Sequence, residues 1–142
     1  MIWKQATKWG EENSRRLFLI DGMGALLSAF LLGVVLVELE ETFGIPPAML
    51  YLLALFPCFF AVYDFYSYQQ KNHALGMYLQ RIAWLNLGYC LLSVGLAIVH
   101  AEAISHLGEA YLAIEILIVC TLAILELRVA KRLIARSQRR AE

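Results

Sequence analysis

The chain has 142 residues, 61% of them hydrophobic and only 17% charged, with 12 basic and 12 acidic side chains and a mean hydropathy of +0.63. A soluble domain needs more charge than this to cover its surface, so the composition excludes a soluble enzyme or a soluble nucleic-acid-binding domain and points to an integral membrane protein. The formal charge is zero, but the charges are unevenly placed along the chain.

Four apolar runs, at 17–37, 46–66, 82–99 and 110–127, each approach the ~20 residues that a helix needs to cross ~30 Å of hydrocarbon. Lipid offers backbone groups no partners and four spans cannot close a barrel, so all four are predicted as helices in one all-α domain covering residues 1–142. The start, MIWKQATKWGEENSRR, lacks the apolar core of a signal peptide, so the first span is expected to be retained. Within it Ile2, Trp3, Ala6 and Trp9 share one helical face and Lys4 and Lys8 another, the pattern of a short helix lying on a membrane surface.

The first span, beginning RLFLIDGMGALLS, carries an aspartate in an otherwise apolar stretch. Asp21, Gly24, Ala25 and Ser28 fall on a single face, which Ala29 and Gly33 extend as a small-residue ridge suited to close helix approach. Gly44, Pro46 and Pro47 then stop one helix and start the next. The second span holds Pro57, which removes a hydrogen bond to the Leu53 carbonyl, and ends on Tyr63 and Asp64. Gly76 marks the next turn. The third span places Asn86, Tyr89, Cys90 and Ser93 at the same spacing as the polar face of the first. Gly108 marks the last turn, and on the fourth span Glu115 and Glu126, eleven residues apart, lie about 20° from eclipsed.

A self-comparison aligns RLFLIDGMGALLS (16–28) with RIAWLNLGYCLLS (81–93), and LFPCFFAVYDF (55–65) with LIVCTLAILEL (117–127). The order and direction match. This predicts two tandem helical hairpins of parallel topology, related by a pseudo-two-fold axis along the membrane normal. Arg81 then corresponds to Arg16 and should snorkel to the headgroups, while Asp21, Asp64, Asn86 and Glu126 become equivalent polar positions, one per helix.

Charge sets the expected orientation. Every Lys and Arg lies before the first span, between the second and third (Lys71, Arg81), or from Arg128 onward. The connections at 38–47 and 100–109 carry only acids, Glu38, Glu40, Glu41, Glu102 and Glu109 among them. By the positive-inside rule both termini are expected in the cytoplasm, in a multi-pass protein of the inner or plasma membrane. The basic tail at 128–142, with Arg128, Lys131, Arg132 and Arg136, should meet anionic lipid headgroups.

A carboxylate inside a span costs roughly 2.5–3.5 kcal/mol at the bilayer centre, so each acid should turn inward to a donor, a cation or a proton. The expected site is a polar pocket near the cytoplasmic side built from Asp21, Asp64, Asn86 and Glu126. Glu115, Tyr63, Ser28 and Ser93 extend it. It would bind or transport a proton, a cation or a small amine-bearing molecule. The competing expectation is a structural or assembly subunit, in a homo-oligomer held through the small-residue ridge or through Gly88 and Gly95. A membrane enzyme acting on lipid or quinone is a third and weaker expectation, since the sequence shows no nucleophile set, metal motif or cofactor loop. No catalytic residue, metal site or cofactor is assigned and no nucleic-acid partner is expected. Cys58, Cys90 and Cys120 read as packed thiols. His100 and His106, near Glu102 and Glu109, would suit a metal or pH-sensing patch, and His73 is a lone loop residue.

Overall fold

The structure is a computed structural model; it describes residues 1–70 and 74–142, so Lys71 and His73 lie outside the described residues. Among the described residues six helices follow one another: α1 (Ile2–Glu12), α2 (Ser14–Glu38), α3 (Glu40–Phe43), α4 (Pro47–Gln69), α5 (Leu75–Val99) and α6 (His106–Ala141). Among the described residues, four helices, α2, α4, α5 and α6, are long and apolar enough to cross a bilayer. The all-helical class is as expected from the sequence, and this is the architecture of a multi-pass membrane protein.

Helix bounds differ from the hydropathy bounds in an ordinary way. α5 starts seven residues before its apolar run and α6 continues through the basic tail to Ala141, because hydropathy reports what lipid accepts while Leu, Ala, Arg and Lys propagate a helix beyond it. Within α2, Leu31–Val35 form a π-helical turn that no sequence signal announces. Gly44 (φ 68°) closes α3 in the left-handed region, Pro46 precedes α4 and Pro47 opens it, the punctuation expected there. Gly76 and Gly108 serve differently from the turn markers expected: both lie inside the first turns of their helices. A Cβ on Gly108 would collide with the Phe43 carbonyl oxygen and come within 2.8 Å of the Ile104 side chain.

The most extensive helix contacts pair α2 with α4 and α5 with α6; contacts between the pairs are sparser. Gly22 faces Asp64 and Phe65 of α4, and Gly33 faces Ala54, where an added Cβ would sit 3.4 Å from the Ala54 Cβ. Part of the small-residue ridge is thus used inside the chain. The core is aliphatic and aromatic, with Phe18, Leu32, Leu50, Leu53, Leu79 and Ile82 fully buried.

The two ends of the bundle are tied by polar contacts. At the end with the chain termini, Arg15 donates from Nη2 to the Tyr68 carbonyl at 2.6 Å and lies over the Tyr68 ring, joining the start of α2 to the end of α4. At the other end Ser105 caps α6, its Oγ accepting from the Gly108 N–H at 3.2 Å while donating to the Thr42 and Phe43 carbonyls at 2.8 and 2.9 Å. α1 packs on α6, with Gly10 against Val129 and Thr7 buried, whereas Trp3 and Trp9 are about 40% exposed. Trp3 also touches the bundle, since the Arg128 guanidinium of α6 lies over its ring.

Candidate functional site

The four polar side chains meet. Asp21 on α2, Asp64 on α4, Asn86 on α5 and Glu126 on α6 are all buried, Asp64 and Glu126 completely. Asn86 donates from Nδ2 to Oδ2 of Asp21 at 2.9 Å. Asp21 has the Asp64 and Glu126 carboxyls as electrostatic neighbours, and Glu126 has Asp64 and Asn86 as its own. Local rules bring each side chain to this point. Gly22 lets α4 approach close enough that Asp64 lies against α2, and each acid follows the apolar stripe that its helix buries.

The electrostatics of the cluster are unbalanced. Both oxygens of Asp64 and both of Glu126 are buried without a hydrogen-bond donor among the described residues. One amide serves three carboxyl groups. A carboxylate has only acceptors, so two of them can bond to each other only if a proton lies between. Buried and unpaired, three negative charges are too costly to coexist in a low-dielectric interior. The arrangement therefore calls for protons, or for a cation held among the oxygens.

A second polar group lies farther along the bundle, toward Ser105. Glu115 Oε1 accepts a short hydrogen bond from the Ser28 hydroxyl and one at 3.3 Å from Tyr89. Its Oε2 is buried and has no donor among the described residues. Ser93, fully buried, stands beside the Tyr89 hydroxyl. A cavity of about 290 Å³ connects the two groups, with Asp21 and Asn86 at one end and Ser28, Tyr89 and Glu115 at the other. Pro57 and Gly24 lie along its wall.

The remaining expected residues fall elsewhere. Tyr63 turns from the acids and donates to the Tyr78 carbonyl at 3.1 Å. In the tail, Arg132 and Arg136 both reach the Glu11 carboxylate, at 3.2 and 3.6 Å, and Arg128 lies over the Trp3 ring at 5.0 Å. Lys131 is exposed. His106 pairs with Glu109 at 3.3 Å on the surface, while His100 Nδ1 lies 3.0 Å from its own helix's Leu96 carbonyl. Cys58 is exposed instead of packed, and Cys90 is buried on α5 with Cys120 of α6 as its neighbour.

Two aromatic residues of the cavity, Phe60 and Tyr111, escape a search for polar positions in apolar runs. Spacing is the signal that finds Tyr111: it precedes Glu115 by four and so shares its helical face. Phe60 precedes Asp64 in the same way. No protein-family model matches the chain, and none of the curated proteins or solved structures does.

Proposed function

We propose that the chain is a small binding or transport module of the membrane that exchanges a proton for a monovalent cation or a small amine at the cluster of Asp21, Asp64, Asn86 and Glu126. The observation that carries this reading is that three carboxyl groups from three helices converge in the interior, two of them without any donor, while no Lys, Arg or His supplies a counter-charge within hydrogen-bonding distance among the described residues. Groups serving only to bind helices together would be expected to arrive with their donors. Glu115, Ser28 and Ser93 extend the polar path toward the opposite end of the bundle.

In this reading the chain is two tandem hairpins, α2–α4 and α5–α6, related by a pseudo-two-fold axis that passes near the cluster. The 65-residue sequence offset and the preferred pairing of these helices support it. The distribution of Lys and Arg puts the termini, and with them the cluster, on the cytoplasmic side of an inner or plasma membrane. The basic residues of α6 left free by Glu11, Arg128 and Lys131 among them, face the anionic headgroups.

The test is proton release. Purified full-length chain in detergent, in weak buffer near neutral pH, receives methylammonium chloride while a pH-indicator dye reports free protons. Release that saturates in the wild type and disappears in the Asp64→Asn/Glu126→Gln double variant supports the reading. Equal release from both would end it.

One observation favours the assembly reading as a second. On α5, Gly88 and Gly95 are exposed and a Cβ on either meets nothing within 4 Å, with Leu91 76% exposed between them. A homo-oligomer closing on this face would be broken by Gly95→Leu with the fold intact, as read by sedimentation in detergent.

A further inference from the structure

The cavity between α2 and α6 is not explained by proton or small-cation binding at the inner cluster. Its wall is almost wholly apolar, and its rim is made by Leu27, Ile114 and Ile118, side chains 59–61% exposed on the outside of the bundle. Ile114 and Ile118 lie four and eight residues into the apolar run that begins at 110, which at ~1.5 Å per residue is about 6–12 Å along the axis, within the half of a ~30 Å hydrocarbon layer nearer Ser105. The mouth therefore opens sideways, toward acyl chains. At about 290 Å³ the space is roughly twice the ~150 Å³ apolar cavity that accepts a benzene and lies near the lower end of small-molecule pockets.

One end of this apolar space is charged. Glu115 is buried, its Oε1 is satisfied by Ser28 and Tyr89, and its Oε2 has no donor. Three aromatic rings, Phe60, Tyr89 and Tyr111, line the same cavity, and Phe60 and Tyr89 meet edge to face with centroids 6.1 Å apart. A carboxylate among aromatic rings complements an ammonium group, by charge and by the attraction of a cation to ring faces. The charged lining residues, Glu115 and Asp21, are both acids, so an anionic amphiphile is disfavoured.

We propose that this cavity binds a small amphiphilic ammonium taken from the bilayer, with its nitrogen against Glu115 and its apolar tail lying along Gly24, Pro57 and Leu122. The ligand needs only one cationic centre and a short tail, since Ser28 stands seven residues from Asp21, about 10.5 Å along α2. The cavity shares Asp21 and Asn86 with the inner cluster, but Asp64 and Glu126 do not line it, so loss of ammonium binding in a Glu115 variant and loss of proton release in the Asp64/Glu126 variant are separate outcomes.

The test uses the full chain in lipid nanodiscs and radiolabelled hexyltrimethylammonium in equilibrium dialysis, with empty nanodiscs subtracted. The wild type is expected to show saturable binding that the uncharged isostere 2,2-dimethyloctane does not displace. Glu115→Gln, which keeps an acceptor for Ser28 and Tyr89, should weaken binding about tenfold or more. Gly24→Leu fills the cavity from a position where a Cβ meets nothing within 4 Å and should weaken it similarly. Glu11→Gln, in the contact with Arg132 and Arg136 and away from both polar groups, should stay within about twofold of wild type. Should Glu115→Gln fail to fold, Gly24→Leu decides alone. Undiminished binding in Gly24→Leu, undiminished binding in folded Glu115→Gln, or displacement by 2,2-dimethyloctane as effective as by unlabelled cation would overturn the proposal.

Discussion

Asn86 donates its side-chain N–H to Asp21 across the interface between the two helix pairs, at 2.9 Å, and the 65 residues between them are the offset at which the two halves of the sequence align. In the proposed two-fold arrangement of hairpins, equivalent positions would meet where the axis passes. That one position is an acid and the other an amide makes the contact a hydrogen bond instead of a repulsion between like groups.

Removing that donor should be costly. Asn86→Leu leaves an oxygen of Asp21 buried without its partner, and we expect a loss of roughly 1–2 kcal/mol in unfolding by sodium dodecyl sulfate from mixed micelles. Asn86→Asp replaces the donor with a fourth carboxyl and should destabilise more than Asn86→Leu in the same assay.

The close approach of α2 and α4 depends on Gly22, where an added Cβ would lie 3.2 Å from the Asp64 Cβ and 3.3 Å from the Phe65 ring. Gly22→Leu overpacks this contact and should lower stability by about 1–3 kcal/mol. Gly88→Leu and Gly95→Leu point into open space and should leave stability within about 0.5 kcal/mol of wild type, beyond any change in assembly. The same unfolding assay compares all three.

The N-terminal helix is held partly by charge. Glu11 is only 6% exposed at its side chain and takes both Arg132 and Arg136, which are 51% and 65% exposed. Exposure of the arginines limits the contribution to about 0.5–1 kcal/mol. Glu11→Gln should speed tryptic cleavage after Lys4 and Lys8 severalfold at low salt, by roughly the factor that ~1 kcal/mol implies, and high salt should reduce the difference between variant and wild type.

At the other end Ser105 acts twice, as cap and as donor to the Thr42 and Phe43 carbonyls. Ser105→Ala should cost about 1–2 kcal/mol, and Ser105→Thr should recover most of it. Gly44→Ala combines a strained positive φ with a collision against the Ala103 carbonyl, and should destabilise more than Ser105→Ala in thermal unfolding followed by circular dichroism.

The acid cluster was legible in the sequence because lipid enforces a simple rule: Asp21, Asp64, Asn86 and Glu126 stand out within apolar runs, and each must face inward. The spans were legible for the same reason. Tyr63 shows where the rule stops, since a phenol with backbone carbonyls in reach is not tied to the neighbouring acid, and it bonds Tyr78 instead. The packing of α1 was hidden because its tryptophans dominate any hydrophobic face, while the residue that lets Val129 of α6 lie close is Gly10. The π-helical turn at Leu31–Val35 and the cavity beside it are products of how four helices pack, to which hydropathy is blind.

The most direct measurement is a double-mutant cycle of Asp64→Asn and Glu126→Gln, reading the stability of the purified chain with and without methylammonium. If the two carboxyls share one buried charge site, the effects of the single variants on methylammonium-induced stabilisation are strongly non-additive, with a coupling of about 0.5 kcal/mol or more. Additive effects, with each variant keeping its own undiminished response, would mean that Asp64 and Glu126 act separately and would contradict the account.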